Sequence, residues 1–435
     1  MKAVEGISPM ENAELWERLR RLGLNQGTHR LKPQPRRQSR AIEDLISGQV
    51  LNTPYGPCFL HRETYDLDYR HGRHALAELL VHSPETPALL AGDRRLVEVA
   101  MEHIAFVDTE TTGLAGGTGT YAFLIGVGVF NNGQFTIHQF FMRDYEEEPA
   151  QLCALGELLD GLEAVVSFNG KAFDLPLLET RFIMTRQPPR LIDIPHLDLL
   201  HPARRFWKYR LDSCTLSSLE AEVLEVQRTP EDLPGWLIPS LYMNYARSGD
   251  AREMPRVFYH NVQDILSLVA LTARMCELLT VPLSSADDPP GEELYSLGRF
   301  WQEAGQLDRA ETAFRQAVQT CRSPLIREKA MRALAYLLKR QERRSEGLTW
   351  WQQLAEMRRD VYACEELAKH YEWVEKDLIQ ALAWTERAMA LVRDWPPGPQ
   401  QKRIWDDLKH RMRRLRGKMT DPNRPGQYNV LSTGG

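Results

Sequence analysis

The chain has 435 residues, with 54 Lys and Arg against 59 Asp and Glu and a formal net charge of −5. Its 43% hydrophobic and 26% charged residues describe a globular protein, and its length predicts about two to four domains. That balance excludes a disordered chain, a collagen-like repeat and a small disulfide-held scaffold.

No apolar run reaches the roughly 18–20 residues that a membrane helix needs. The opening MKAVEGISPMENAELWERL has no apolar stretch of signal-peptide type. The cysteines at 58, 153, 214, 276, 321 and 364 form no CxxC pair, so they read as reduced thiols of a cytoplasmic protein.

Residues 1–100 open with an amphipathic helix signal, ENAELWERLRRL. The basic stretch HRLKPQPRRQSR follows, read either as a solvated linker or as a nucleic-acid-binding arm. Beyond it, Pro and Gly punctuate LNTPYGPCFL and YRHGRHALAELL, which predicts short strands and loops with one small helix.

Residues 101–280 change texture. IAFV (104–107), YAFLIGVGVF (121–130) and QFTIHQFFM (134–142) are apolar runs of strand type, and Asn131-Asn132-Gly133 signals a hairpin turn between the last two. QLCALGELLDGL then reads as helix, AVVSF (164–168) as strand, LPLLETRFIM as helix, and IPHLDLL holds a further strand. CTLSSLEAEVL and FYHNVQDILSLVALTARMCELL are helical by their i, i+3, i+4 apolar spacing. This order predicts an α/β fold, a mixed sheet flanked by helices on both faces.

Residues 281–290, VPLSSADDPP, read as a linker across which few contacts pass. Beyond it the chain is helical and self-similar: LGRFWQEAGQLDRAETAFRQAV, LAYLLKRQERRSEGLTWWQQLA and LAKHYEWVEKDLIQALAWTERAM align, with anchors at Leu297, Leu334 and Leu367. Residues 291–420 thus resemble tetratricopeptide (TPR) repeats, an all-α solenoid that implies a protein partner. Trp350, Trp351, Trp373 and Trp384 are expected in its core. The last helix, 402–418, carries eight Lys or Arg against two Asp, which suits a capping helix with a solvated basic face, or a phosphate-contacting patch.

The chemistry sits in acidic residues at the ends of predicted elements. Asp108 and Glu110 follow IAFV, and carboxylates at i and i+2 of a strand project to one face. Unpartnered charges at the end of an apolar strand need a reason. Asp174, in Asn169-Gly170-Lys171-Ala172-Phe173-Asp174, opens a helix, where it serves as cap or as metal ligand. His260 and Asp264 share a helix face at i and i+4, next to the apolar ILSLVALTARM.

DTETTGL, NGxxFD and a late helical Asp preceded by Tyr and His resemble, in that order, the DEDD family of 3′–5′ exonucleases of the ribonuclease H-like fold. The addition of TPR repeats resembles its YprB-type branch. The resemblance implies that Asp108, Glu110, Asp174 and Asp264 hold two divalent ions, Mg²⁺ or Mn²⁺. It also places Thr111, Thr112 and Leu114 beside the terminal nucleotide, with Asn169 orienting the scissile end. The implied substrate is the 3′ end of single-stranded DNA or RNA. The family places His five residues, or Tyr four residues, before the last Asp; here Tyr259 is five before Asp264 and His260 four before it. His260 is the expected general base, with Tyr259 as the alternative. An adaptor with a weak or inactive site, recruiting a protein through its repeats, is the competing expectation.

Three further features are open at this stage. Asp198 reads as a structural acid at a strand end. The glycine-rich 116–119 reads as a flexible loop, lacking the Lys-Ser/Thr of a P-loop. His201-Pro-Ala-Arg204-Arg205-Phe206-Trp207-Lys208-Tyr209-Arg210 suits either backbone pairing with base stacking or an ordinary amphipathic connection.

Overall fold

The five strands expected in residues 101–280 all form, and two strands from before residue 101 extend their sheet. The computed structural model describes residues 39–420, apart from 114–118, 192, 231, 284–288 and 359. The N-terminal helix signal, most of the basic stretch, Leu114 and most of the glycine-rich 116–119 therefore lie outside the described residues.

The sheet holds β1 (Gln49–Thr53), β2 (Gly56–Asp66), β5 (Ile104–Thr111), β6 (Ala122–Asn131), β7 (Gln134–Phe141), β8 (Ala164–Ser167) and β9 (His196–Asp198). A two-stranded ribbon of β3 (Arg70–His71) and β4 (His74–Ala75) stands apart. The order in the main sheet is β1-β2-β7-β6-β5-β8-β9, antiparallel up to β5 and parallel from β5 to β9. Between β6 and β7, Asn132 and Gly133 both take positive φ, 51° and 75°, as the tight hairpin turn requires. The expected start of this layer at residue 101 falls inside the sheet, because β2 pairs with β7 from Phe59↔Phe141 to Asp66↔Gln134. Backbone pairing, invisible in local composition, ties residues 49–66 to the centre.

Side-chain alternation on β5 divides the core. Ile104 and Phe106 enter one apolar cluster, Ala105 and Val107 the other. The first cluster lies under α5 (Leu200–Trp207) and α8 (Met254–Thr280), the second under α3 (Glu148–Leu159) and α4 (Asp174–Met184). The short helices α1 (Ala77–Leu80), α2 (Glu85–Ala91), α6 (Leu216–Leu219) and α7 (Ile238–Ser248) fill the edges, and α6 runs into a π-helical turn, Glu220–Leu224. No described helix is long and apolar enough to cross a membrane.

After residue 288 the described chain is all helix: α9 (Gly291–Glu303), α10 (Leu307–Thr320), α11 (Pro324–Arg340), α12 (Arg344–Arg358), α13 (Val361–Trp373), α14 (Leu378–Arg393) and α15 (Pro399–Met419), each packed on the next. Trp351 is buried as expected, but Trp373 is half exposed, with Arg411 over its ring. The basic α15 docks through charge: Arg411, Arg414 and Lys418 converge on the buried Glu372, the arrangement of a capping helix.

The expectation of few contacts across 281–290 is not met. One apolar cluster runs unbroken from Phe206, Trp207 and Leu279 to Leu294, Phe300 and Trp301. Glu293, fully buried at the seam, pairs with Arg210 and lies 3.8 Å from Arg274. A chain ending at Thr280 would expose this face and leave both arginines without Glu293. Losing several large apolar contacts at roughly 1.5–3 kcal/mol each is a large share of a domain's stability. We expect such a truncation to aggregate, or to melt on the order of 10 °C below the full chain in a thermal scan.

Candidate active site

Alternation on β5 continues past its apolar half. Asp108 follows Ile104 and Phe106 onto the face covered by α8, while Thr109 follows Ala105 and Val107 onto the face covered by α4. Both faces then supply partners. Asn261 on α8, fully buried, donates from Nδ2 to Asp108 Oδ2 at 2.8 Å and to the Asp108 carbonyl at 3.2 Å. Its Oδ1 accepts from Gln139 Nε2 at 2.8 Å, so a buried amide pair sets the Asp108 carboxylate. On the other face the Thr109 hydroxyl donates to Asp174 Oδ1. Asp174 is the first residue of α4, and Phe173 holds the cap position without a side-chain capping bond.

The approach of α8 depends on a missing side chain. Gly126 on β6 is the register partner of Asp108, and a Cβ there would lie 2.2 Å from Asn261 Oδ1 and 2.5 Å from Ile265 Cδ1. Glycine lets the helix lie close to the strand end. α8 begins at Met254 with Pro255 in its first turn, so residues 259–264 are already helical. His260 therefore shares a face with Asp264, with Nε2 3.7 Å from Asp264 Oδ2. His260 Nδ1 lies 2.8 Å from Asp232 Oδ1. Tyr259 points elsewhere, its hydroxyl 3.5 Å from Thr229 Oγ1.

The loop after β8 is shaped from beneath. Asn169 takes φ +66°, and a Cβ on Gly170 would lie 2.2 Å from Ser167 Oγ. Asp198 accepts the backbone N–H of Asn169 at 2.7 Å, of Lys171 at 3.0 Å and of Leu200 at 3.1 Å. It thus fixes the loop that delivers Asp174. His196, buried on β9, lies 2.8 Å from Ser167 Oγ. At the end of β5, Thr112 exchanges two bonds with Tyr121, and Thr111 Oγ1 donates to the Gly113 carbonyl at 2.9 Å.

Four carboxylates thus meet at one end of the sheet, and their electrostatics show it. Burial, then the charges of Asp264 and Asp174, hold Asp108 well above the usual carboxylate range. Burial, then Asp108, Asp264 and Asp174, do the same to Glu110. Asp174 is pushed up to about 6 by burial, against the bond from Thr109. Among the described residues, no three His, Cys, Asp or Glu side chains stand in metal-ligand geometry. The donors themselves suit a hard divalent cation: oxygen only, half-buried, and, at Asp108 and Glu110, raised by desolvation and by mutual repulsion that a cation would relieve.

Arg228 is the residue that no local signal marks. Its guanidinium bonds Asp264, meets Glu220 at 2.5 and 2.7 Å and Asp232 at 3.2 Å, and lies 3.1 Å from His260 Nδ1. Burial works against its charge, but Asp264 and Glu220 more than offset this and hold it protonated. Arg228 and Asp232 belong to an irregular segment between the π-helical turn and α7, where no periodicity singles them out. Asn261 and Gln139 read in sequence as ordinary polar positions of a helix and a strand.

Residues 105–276 match the RNase H superfamily and form a domain of that kind, in keeping with the mixed sheet and its flanking helices. The superfamily's chemistry is of nuclease type. Over 339 residues the chain is 30% identical to the protein named "Uncharacterized protein YprB" of Bacillus subtilis (strain 168), across 77% of this chain and 80% of that one. The chain belongs to the family of YprB. The crystal structure of PcrH from Pseudomonas aeruginosa aligns with 29% of this chain and 91% of its own at 17% identity, with a TM-score of 0.25, too slight a likeness to carry weight.

Two outcomes follow from this geometry. Gly126→Ala should push α8 off β5, costing roughly 1–3 kcal/mol in thermal denaturation and separating Asp264 from Asp108. His196, pushed down to about 4 by burial, is neutral when folded, whereas its unfolded form takes up a proton near 6.5. Its contribution is therefore complete above pH 6.5 and is lost as the pH falls toward 4. The stability difference between wild type and His196→Gln should shrink over that window by up to roughly 3 kcal/mol, read from denaturation curves at each pH.

Proposed function

We propose that this protein is a cytoplasmic, metal-dependent 3′–5′ exonuclease of the DEDD type, acting on single-stranded nucleic acid. The observation that carries the reading is the meeting of Asp108, Glu110, Asp174 and Asp264, drawn from one strand end and two helices. Such a gathering of like charge is expensive unless a cation belongs there. Bound divalent ions, Mg²⁺ or Mn²⁺, supply Lewis-acid activation of water and neutralise charge developing on the phosphate.

The chain's own groups do the rest. Asp232 accepts from His260 Nδ1, which leaves Nε2 beside Asp264 free to take a proton from the attacking water. Tyr259 lies off that face and has no part in this step. Thr111, Thr112 and the Asn169 loop form the rim where the terminal nucleotide rests. Phe173 and Trp236, 55% and 73% exposed, flank the same end and offer faces for bases. The helices from Gly291 onward are a TPR-like array that recruits a protein partner.

A second reading, an adaptor with an inactive site, rests on one observation: Arg228 already places a cation against Asp264. Metal binding separates the two. Under the nuclease reading Mn²⁺ raises the melting temperature of the wild type by mass action, and Asp108→Asn or Asp174→Asn removes that rise. Both variants should fold and should lose cleavage of an end-labelled single strand by at least about 100-fold. Wild-type cleavage by both, or no metal-dependent shift in the parent protein, would leave the adaptor reading in place.

A further inference from the structure

The basic and aromatic stretch from His201 to Arg210 has a use beyond the carboxylate site. Two of its three aromatics are not available for stacking: Phe206 and Trp207 are fully buried, and Tyr209 is half-buried. What remains on the surface is a cationic stripe. His201, Arg204 and Arg205 on α5 and Lys208 at its C-cap fall at i, i+3, i+4 and i+7, opposite the buried Pro202, Ala203, Phe206 and Trp207. Against the stripe lies α9, which adds Arg299, and the two helices enclose a cavity of about 270 Å³.

Its charge is lopsided. Four permanent cations, Arg204, Arg205, Lys208 and Arg299, line it against one carboxylate, Glu303. Glu303 pairs with Arg205 at 2.6 Å and with Arg299 at 3.4 Å. Among the described residues, Arg204 and Lys208 have no carboxylate within ion-pair distance. Tyr209 gathers more positive charge, with Lys208 Nζ and Lys329 Nζ each 5.0 Å from its ring centroid and Arg299 Nη1 3.0 Å from its hydroxyl. In a chain of net charge −5, such a concentration is not a property of the surface at large.

Its position connects it to the carboxylates. β9 ends at Asp198, which holds the loop delivering Asp174, and α5 begins two residues later. The stripe starts at His201, at the carboxylate end of the sheet, and runs about 10 Å along α5 to Lys208. We propose that this cleft between α5 and α9 binds the phosphodiester backbone of a single-stranded nucleic acid on its way to the carboxylate site. The proposal rests on the nuclease reading for its substrate, but it makes a claim about binding alone. A strand held there contacts the sheet layer and the helical array at once.

The test uses the full chain without divalent metal. Fluorescein-labelled oligothymidylates of about 4 and about 20 nucleotides are titrated by anisotropy at several salt concentrations. In the double variant Arg204→Glu with Lys208→Glu, both positions exposed, affinity for the long strand should fall roughly tenfold or more. The slope of log affinity against log salt should drop by about 1.4, for two phosphate contacts. Binding of the short strand should change little. Glu303→Gln frees Arg205 and Arg299 and should tighten the long strand, which a merely structural role would not produce. Lys402→Glu with Lys409→Glu, on α15, should change neither length. An unchanged long-strand affinity in the first variant, an equal loss on both lengths, or an equal effect of the α15 variant overturns the proposal. So does polyglutamate that displaces the long strand as well as unlabelled DNA does, since the cleft would then suit an acidic protein. Strand binding lost as expected, with no cleavage when Mn²⁺ is added, refutes the nuclease reading and leaves the cleft standing.

Discussion

Like charges brought together in a half-buried place repel one another, and the layout of this protein follows from how that repulsion is contained. Asp108 and Glu110 stand at the end of an apolar strand, and Asp174 and Asp264 arrive from helices on opposite faces. Each carboxylate that stays there needs a donor or a cation nearby. Asn261 serves Asp108, Thr109 serves Asp174, and Arg228 serves Asp264. These supports are themselves anchored in buried structure. Asn261 is held by Gln139, and Glu220 accepts from the Ser267 hydroxyl at 2.5 Å while it grips Arg228. The acidic cluster is therefore built into the core and does not sit loosely on the surface.

Much of this was legible in the sequence because the strands that carry it are strongly apolar and the acids stop them abruptly. β5, β6, β7 and β8, the Asn132-Gly133 turn and the long α8 announce themselves by period and composition. The acids Asp108, Glu110, Asp174 and Asp264 are visible as charges at the ends of those elements. What was hidden has a common physical cause: partners made by long-range folding. Arg228 meets Asp264 from 36 positions away, and Gln139 meets Asn261 from 122. β2, mixed in composition, joins the sheet only because β7 offers it an edge. The aromatic residues of α5 looked available for bases because a single helix does not reveal which face another helix will cover.

Arg228 gives the site a character that the four carboxylates alone would not have. A fixed guanidinium removes part of the repulsion at all times and cannot leave as a metal ion can. It also links Asp264, Asp232 and His260 into one rigid group, so the imidazole is oriented without any ligand present. The arrangement exchanges some of the cluster's net negative charge for a fixed orientation of His260.

The unbroken apolar seam between α5, α8 and the helices after residue 290 also bears on synthesis. A chain leaving the ribosome completes its sheet when β9 emerges near residue 198, yet the cover for Phe206, Trp207 and Leu279 lies in α9 to α11 and arrives only by residue 340. Until then the nascent sheet layer presents a sticky flank, and β2 has already waited some seventy positions for β7. Long-range closure of this kind is slow and exposes the intermediate to association. Helices α9 to α11 therefore cover an apolar flank that the first-made half exposes when it stands alone.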